Sequence, residues 1–284
     1  MVLLQAKQNM QRSVGVAKIA FKTRDHKTVL DDLYQQGSAK LRFARPEPNR
    51  LTEAVLINTS GGMTGGDTFT VNAKWGENTT AIITTQAAER HYKSLGDVAV
   101  IDNQLEVAHN ATALWLPQES IMFNGAAYQR NTTINLTKTS SLLAIESSLF
   151  GRQAMGETVT SGQVTEKWQI HRDNKLIFAD AFGLNNNIAA QLEKPAIAAG
   201  NTAISTIIYI GDDLEATRDQ INTLIEQQNT IGRATIFNDI LLIRLFATTG
   251  KNLRQTIIKI LNKTLVKLTK SQDTENLLPR VWMM

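Results

Sequence analysis

The sequence predicts a mainly β protein, with stacked antiparallel sheets in one large domain and a few helices toward the C-terminus. Three observations carry that reading. From Thr68 to Trp75, the residues Phe69, Val71, Ala73 and Trp75 alternate with Thr68, Thr70, Asn72 and Lys74, the period of two that half-buries a strand. Across the first two-thirds, short apolar runs are separated by turn-forming residues with few helical intervals, which favours sheet packed on sheet. In the last third the period changes. Leu214, Ile221, Leu224 and Ile225 share one helical face, and Leu253, Ile257, Ile260, Leu261, Leu265 and Leu268 form a stripe between about Lys251 and Lys270.

In chain order, Val14-Gly15-Val16, Ala54 to Ile57, Ala81 to Ile83, Leu105 to Val107 and Ile134 to Leu136 read as short strands. Val164 to Ile170 and Leu176 to Phe182 flank the polar stretch Arg172-Asp173-Asn174-Lys175, which predicts a hairpin. Asp212-Asp213 opens the first helix, where acids suit the helix dipole. Ile236 to Phe246 reads as one buried strand between the two helices. Neither an internal repeat nor a Pro/Ser-rich linker interrupts the chain, so a single domain over residues 1–284 is expected.

A chain of 284 residues can bury a substantial core, and its hydrophobic and charged fractions are ordinary for a globular protein. No apolar run approaches the roughly 18 residues of a membrane span, and Met1-Val2-Leu3-Leu4-Gln5-Ala6-Lys7 turns polar too early for a signal-peptide core. With no cysteine, neither disulfides nor thiolate metal sites are available, which fits a cytoplasmic location. A formal charge of +4 permits an acidic partner but argues for neither nucleic acid nor membrane.

The candidate chemistry rests on acids in unusual places. Thr59-Ser60-Gly61-Gly62-Met63-Thr64-Gly65-Gly66-Asp67 packs four glycines into six positions. It lacks the Gly-Lys-Ser/Thr and following helix of a phosphate loop, so it reads as a tight turn delivering Asp67 to a strand. In Leu142-Leu143-Ala144-Ile145-Glu146, period two puts Glu146 on the face of Leu142 and Ala144. Asp180 likewise shares a face with Leu176, Phe178 and Phe182, and both strands read as buried on both sides. A buried carboxylate costs several kcal/mol unless it is paired, hydrogen-bonded or bound to a cation. Arg152 is a candidate partner for Glu146; the alternative is a wet interior passage lined by acids.

Glu89 and His91 form a weak Glu-x-His pair, and His26, His91, His109 and His171 match no zinc spacing. No Gly-x-Ser-x-Gly elbow is present, and no nucleophile, base and oxyanion donor assemble, which argues against an enzyme. Lys259, Lys263 and Lys267 recur every four residues as a basic ridge, either a solvated face or a docking surface for an acidic partner.

Several segments, in order, resemble the UreD (UreH) family of urease accessory proteins. They are Gly37-Ser38-Ala39-Lys40-Leu41-Arg42-Phe43, Ala54 through Asp67, Thr84-Thr85-Gln86-Ala87-Ala88-Glu89, Trp115-Leu116-Pro117-Gln118-Glu119, Phe150-Gly151-Arg152 with Met155-Gly156-Glu157, and Leu278-Pro279-Arg280-Val281-Trp282. The resemblance covers about Gly37 to Trp282, with little pattern between Gly183 and Gly250. It implies a non-catalytic β protein that binds apo-urease on one side and a UreF–UreG assembly on the other. It implies no permanent cofactor: GTP belongs to UreG, and nickel passes in transit through an internal tunnel. Asp67 matches the acid of the family's Gly-Gly-Asp motif. Glu146 and Asp180 fall where relatives carry acids, and Glu89 where relatives vary. Carboxylates hold nickel more loosely than imidazole or thiolate, as a conduit needs.

Overall fold

The chain shuttles between two sheets. It opens with β1 (Val14–Arg24), β2 (Lys27–Gly37), β3 (Ala39–Phe43), β4 (Thr52–Asn58), β5 (Thr68–Trp75), β6 (Thr80–Thr85) and β7 (Glu89–His91). There follow β8 (Ala99–Val107), β9 (Thr112–Leu116), β10 (Ser120–Met122), β11 (Ala127–Leu136), β12 (Ser141–Phe150), β13 (Gln163–Arg172) and β14 (Lys175–Asn185). The last part comprises α1 (Ile188–Leu192), β15 (Ala203–Ile210), α2 (Leu214–Glu226), β16 (Ile231–Phe237), β17 (Ile240–Ala247) and α3 (Gly250–Thr269). The computed structural model describes residues 11–45, 47, 50–270 and 277–283, so the Met1 to Lys7 segment lies outside the described residues.

The first sheet runs β14-β13-β11-β8-β5-β1-β2, and the second β16-β17-β15-β12-β9-β6-β4-β3 with β10 and β7 added beside β12. The mainly β, stacked architecture is as expected, but the pairing is not antiparallel throughout. β1–β5–β8–β11–β13 and β4–β6–β9–β12 are parallel. Between β4 and β13 most steps cross to the opposite sheet, so a strand returning to its own sheet resumes the earlier direction. Antiparallel pairs sit at the hairpin edges and along β12–β15–β17.

Two-residue turns set the hairpins. Asp173-Asn174 joins β13 to β14 with both φ values positive, 49° and 63°, the conformation that Asn and Asp tolerate best. Asn238-Asp239, at 49° and 60°, does the same between β16 and β17. The stretch Ile236 to Phe246, expected as one strand, is therefore broken by that turn into the end of one strand and the body of the next.

The second sheet divides two cores. Its inner face packs Ala54, Ile83, Trp115, Leu142 and Ala144 against Ile19, Val71, Leu105 and Ile134 of the first sheet. Its outer face packs Ile82, Leu114, Leu143 and Ile145 against Ile221 and Ile225 of α2 and Leu253, Ile257 and Leu261 of α3. β12 is thus buried on both faces, as its sequence implies. α3 begins at Thr249, whose side chain accepts from the Asn252 amide. Among the described residues, no helix is long and apolar enough to cross a membrane.

Two neighbouring strands break at the same level. Gln86-Ala87-Ala88 separates β6 from β7, and Pro117-Gln118-Glu119 separates β9 from β10. Proline has no N–H for the ladder, and the gap is closed by side chains instead. Gln118 bonds Thr85 through its amide and its side chain, at 2.9 and 3.0 Å.

Candidate functional site

Period two carries the inner face of β12 from Leu142 and Ala144 onward to Glu146 and Ser148, so two polar residues enter an interior otherwise filled by apolar side chains. Glu146 is only 3% exposed. Its Oε1 accepts from the Thr132 hydroxyl at 2.5 Å, and its Oε2 lies 3.0 Å from Arg130 Nε. Arg130 reaches on to Glu166 Oε1 at 2.6 Å and to the Ser120 hydroxyl at 2.9 Å. Glu166 Oε1 also accepts from Tyr128 at 2.8 Å and Ser148 at 2.6 Å. Asn103 donates to Thr132 at 3.0 Å. One guanidinium therefore faces two carboxyl groups between the sheets.

Burial pushes the Glu146 carboxyl up to about 7, against the pull of Arg130. Arg130 is held even more firmly in its charged form by Glu146 and Glu166, which outweigh its own burial. Tyr128 is raised well above its ordinary value by burial and by Glu166.

Strand register extends this cluster in both directions. Ser148 pairs with Ser120, and Ser120 with Glu89. Glu89 accepts from Asn58 Nδ2 at 3.2 and 3.3 Å and lines a cleft of about 230 Å³ with Asn58, Phe69, Thr85 and Gln86. Its carboxyl is raised to about 7 by burial, partly offset by the Asn58 bond. On the other side, Glu146 pairs with Thr206, and Thr206 with Arg244. Arg244 donates to Asp180 of the first sheet at 2.5 Å. Glu89, Glu146 and Asp180 thus lie along one polar band across the inner face.

Asp67 stands apart. It is buried at the start of β5, on the face of Phe69 and Val71, with Oδ1 accepting from the Ser13 amide at 2.7 Å and Oδ2 from the Thr64 amide at 2.8 Å. None of its contacts joins it to the band. Two expectations need correction. Arg152 forks onto Glu157 at 2.9 and 3.1 Å rather than pairing with Glu146, because both belong to the turn after β12. β14 is not buried on both sides: it is an edge strand, and Ala179 and Ala181 are exposed. The basic ridge lies along α3, with Lys259 exposed and bonded to Gln228 at 2.7 Å and Lys263 and Lys267 half-buried.

Sequence reasoning missed Arg130 and Glu166, the partners that give Glu146 its setting. The signal was present: Tyr128, Arg130, Thr132 and Ile134 share one face, as do Val164, Glu166, Trp168 and Ile170. Buried polar atoms without partners also collect nearby, including both ring nitrogens of His91 and the Trp115 indole nitrogen. Such groups call for water or an ion. Among the described residues, no three His, Asp or Glu side chains converge to cage a metal. The larger surface cleft, about 550 Å³, is lined by Arg90, Tyr92, Phe123, Arg152 and Met155 and contains none of the four acids.

The family described as UreD urease accessory protein matches residues 13–283. A urease accessory protein UreD of Rhizobium johnstonii is 36% identical over 263 residues, covering 92% of this chain and 95% of its own. The proteins of the same name from Mesorhizobium japonicum and Chelativorans sp. are 37% and 38% identical, covering 88% of this chain and 89% of theirs. With the match spanning both sheets and the helices, the chain belongs to the UreD family: it is a urease accessory protein, not a catalytic enzyme.

Proposed function

We propose that this protein serves urease maturation as a scaffold that holds apo-urease and a UreF–UreG assembly, and that nickel travels along its inter-sheet band. The role in maturation follows from family membership; the scaffold and the passage are our reading. Nickel is the cargo, with no permanently bound cofactor, and GTP stays with UreG. One observation carries the passage: Glu89, Glu146 and Asp180 lie on a continuous row of polar positions through an apolar interior. A row of spaced carboxylates attracts a divalent cation without caging it. Glu89, beside its cleft, is the natural mouth. Asp67, with both oxygens on amides, is the least available of the four.

A second reading has an observation of its own. Glu146 has Arg130 and Asp180 has Arg244, so the acids can serve packing alone in a purely structural adaptor. Glu89→Gln, Glu146→Gln and Asp180→Asn, singly and together, separate the two readings. Arg130 keeps Glu166 when Glu146 is neutralised, so the fold should survive. Under the passage reading, urease matured with the triple variant lacks nickel although the complex assembles and melts as before. Full nickel loading by the triple variant would leave only the adaptor.

A further inference from the structure

We propose that His91 makes the passage selective, by offering nickel a nitrogen donor that magnesium does not use. The inference rests on the passage reading above. His91 follows Glu89 by two residues on β7, so both project from the same face of the strand. It is 1% exposed, and its ring stacks on Tyr128 with centroids 3.9 Å apart and planes 15° apart. The Tyr128 hydroxyl in turn donates to Glu166. His91 therefore sits beside the cluster of Arg130, Glu146 and Glu166, on the short strand that also carries Glu89.

Neither ring nitrogen has a hydrogen-bond partner among the described residues. If packing on Tyr128 were its whole task, Phe would stack equally well without burying two unmet polar atoms. The acids alone do not discriminate, because magnesium also takes carboxylate oxygen. Imidazole binds nickel and is a poor ligand for magnesium. A single nitrogen donor in an oxygen-lined band biases entry toward nickel without assembling a trap.

The test uses the full chain with isotope-labelled histidine and nickel ions as the probe. The chain has four histidines, and His91→Phe identifies the His91 imidazole signals by their loss. In the unmutated protein, paramagnetic nickel should broaden those signals before the other three, and magnesium should leave them unchanged. In excess magnesium, nickel affinity should fall at least about tenfold in His91→Phe, since even outer-sphere changes cost 10–100-fold. Nickel that leaves the His91 signals untouched overturns the proposal, as does equal discrimination by both proteins. If His91→Phe does not fold, signals assigned through neighbouring residues in the unmutated protein decide alone. Urease fully loaded by the triple acid variant would sink passage and selectivity together. Loading lost with the acids, while His91 stays silent to nickel, removes His91 only.

Discussion

Arg254 bridges both oxygens of Glu119 with one nitrogen, its Nη1 lying 2.9 and 3.1 Å from them, and so ties α3 to the break between β9 and β10. The same guanidinium donates to the backbone oxygens of Val281 and Trp282 and lies 4.9 Å from the Trp282 ring. The Trp282 indole reaches Thr84 and Leu116 on the interrupted strands. Two segments of the family resemblance, more than 150 residues apart, are thereby one structural unit.

Replacing Arg254 by Met should strand the Glu119 carboxylate, whose side chain is 5% exposed. The loss should be about 3–5 kcal/mol, the cost of breaking a buried pair on one side. Arg254→Lys should recover little, because one ammonium cannot serve Glu119 and, at the same time, Gln118 and the Val281 and Trp282 carbonyls that Nη2 reaches. Urea midpoints test this, with proteolysis at the C-terminal segment rising in parallel. A change below about 1 kcal/mol would mark the pair as a surface-like contact.

Glu89 predicts a pH dependence. Its carboxyl is raised from 4.5 to about 7 in the fold, so between those values the native state holds a proton that the unfolded chain has lost. Its contribution is fully present below the unfolded value and is lost as pH rises through the folded one. Glu146 acts in the same direction. Glu89→Gln should flatten the decline in stability from pH 4.5 to 7, measured by urea midpoints at several pH values. A slope identical to the unmutated protein would contradict the burial of this acid.

Gly62 should not tolerate a side chain. Its φ is +145°, and a Cβ there would meet the Tyr92 ring and lie 2.8 Å from the Arg90 carbonyl oxygen. Gly62→Ala should cost roughly 1–3 kcal/mol. Gly61, where a Cβ would meet nothing within 4 Å, shares only the positive φ, so Gly61→Ala should cost less. Thermal melts of the two variants side by side provide the comparison.

The ridge of Lys259, Lys263 and Lys267 should steer an acidic partner. Reversing all three charges should slow association with the UreF–UreG assembly or apo-urease, most strongly at low salt. The fold should lose only a few tenths of a kcal/mol, chiefly from Lys267 in the last helical turn. Association rates that ignore both the substitutions and the salt would return the ridge to a solvated face.

The sequence by itself determined the local elements and the odd positions. Alternation at Thr68 to Trp75, the Asp173-Asn174 turn and the stripe of α3 are properties of neighbouring residues, and each appears where the pattern places it. Period two also put Glu146 on an apolar face, because side-chain direction along a strand needs no knowledge of the partner strand. The Asn238-Asp239 turn was equally local, but the apolar residues on either side masked it.

Only the tertiary structure decided who meets whom. Parallel pairing arises from the chain crossing between sheets, which no single strand encodes. Arg130 reaches Glu146, and Glu166 reaches Arg130, from β11 and β13, both in the sheet opposite the one that holds Glu89 and Thr206. Glu146 was given two neighbours from the opposite sheet, Arg130 and Thr132, and Asp180, on an edge strand, was given an arginine, although both acids looked alike on apolar strand faces. Hydrogen bonds and ion pairs act over about 3 Å. The residues that satisfy a buried acid are therefore set by strand order and register, not by distance along the chain.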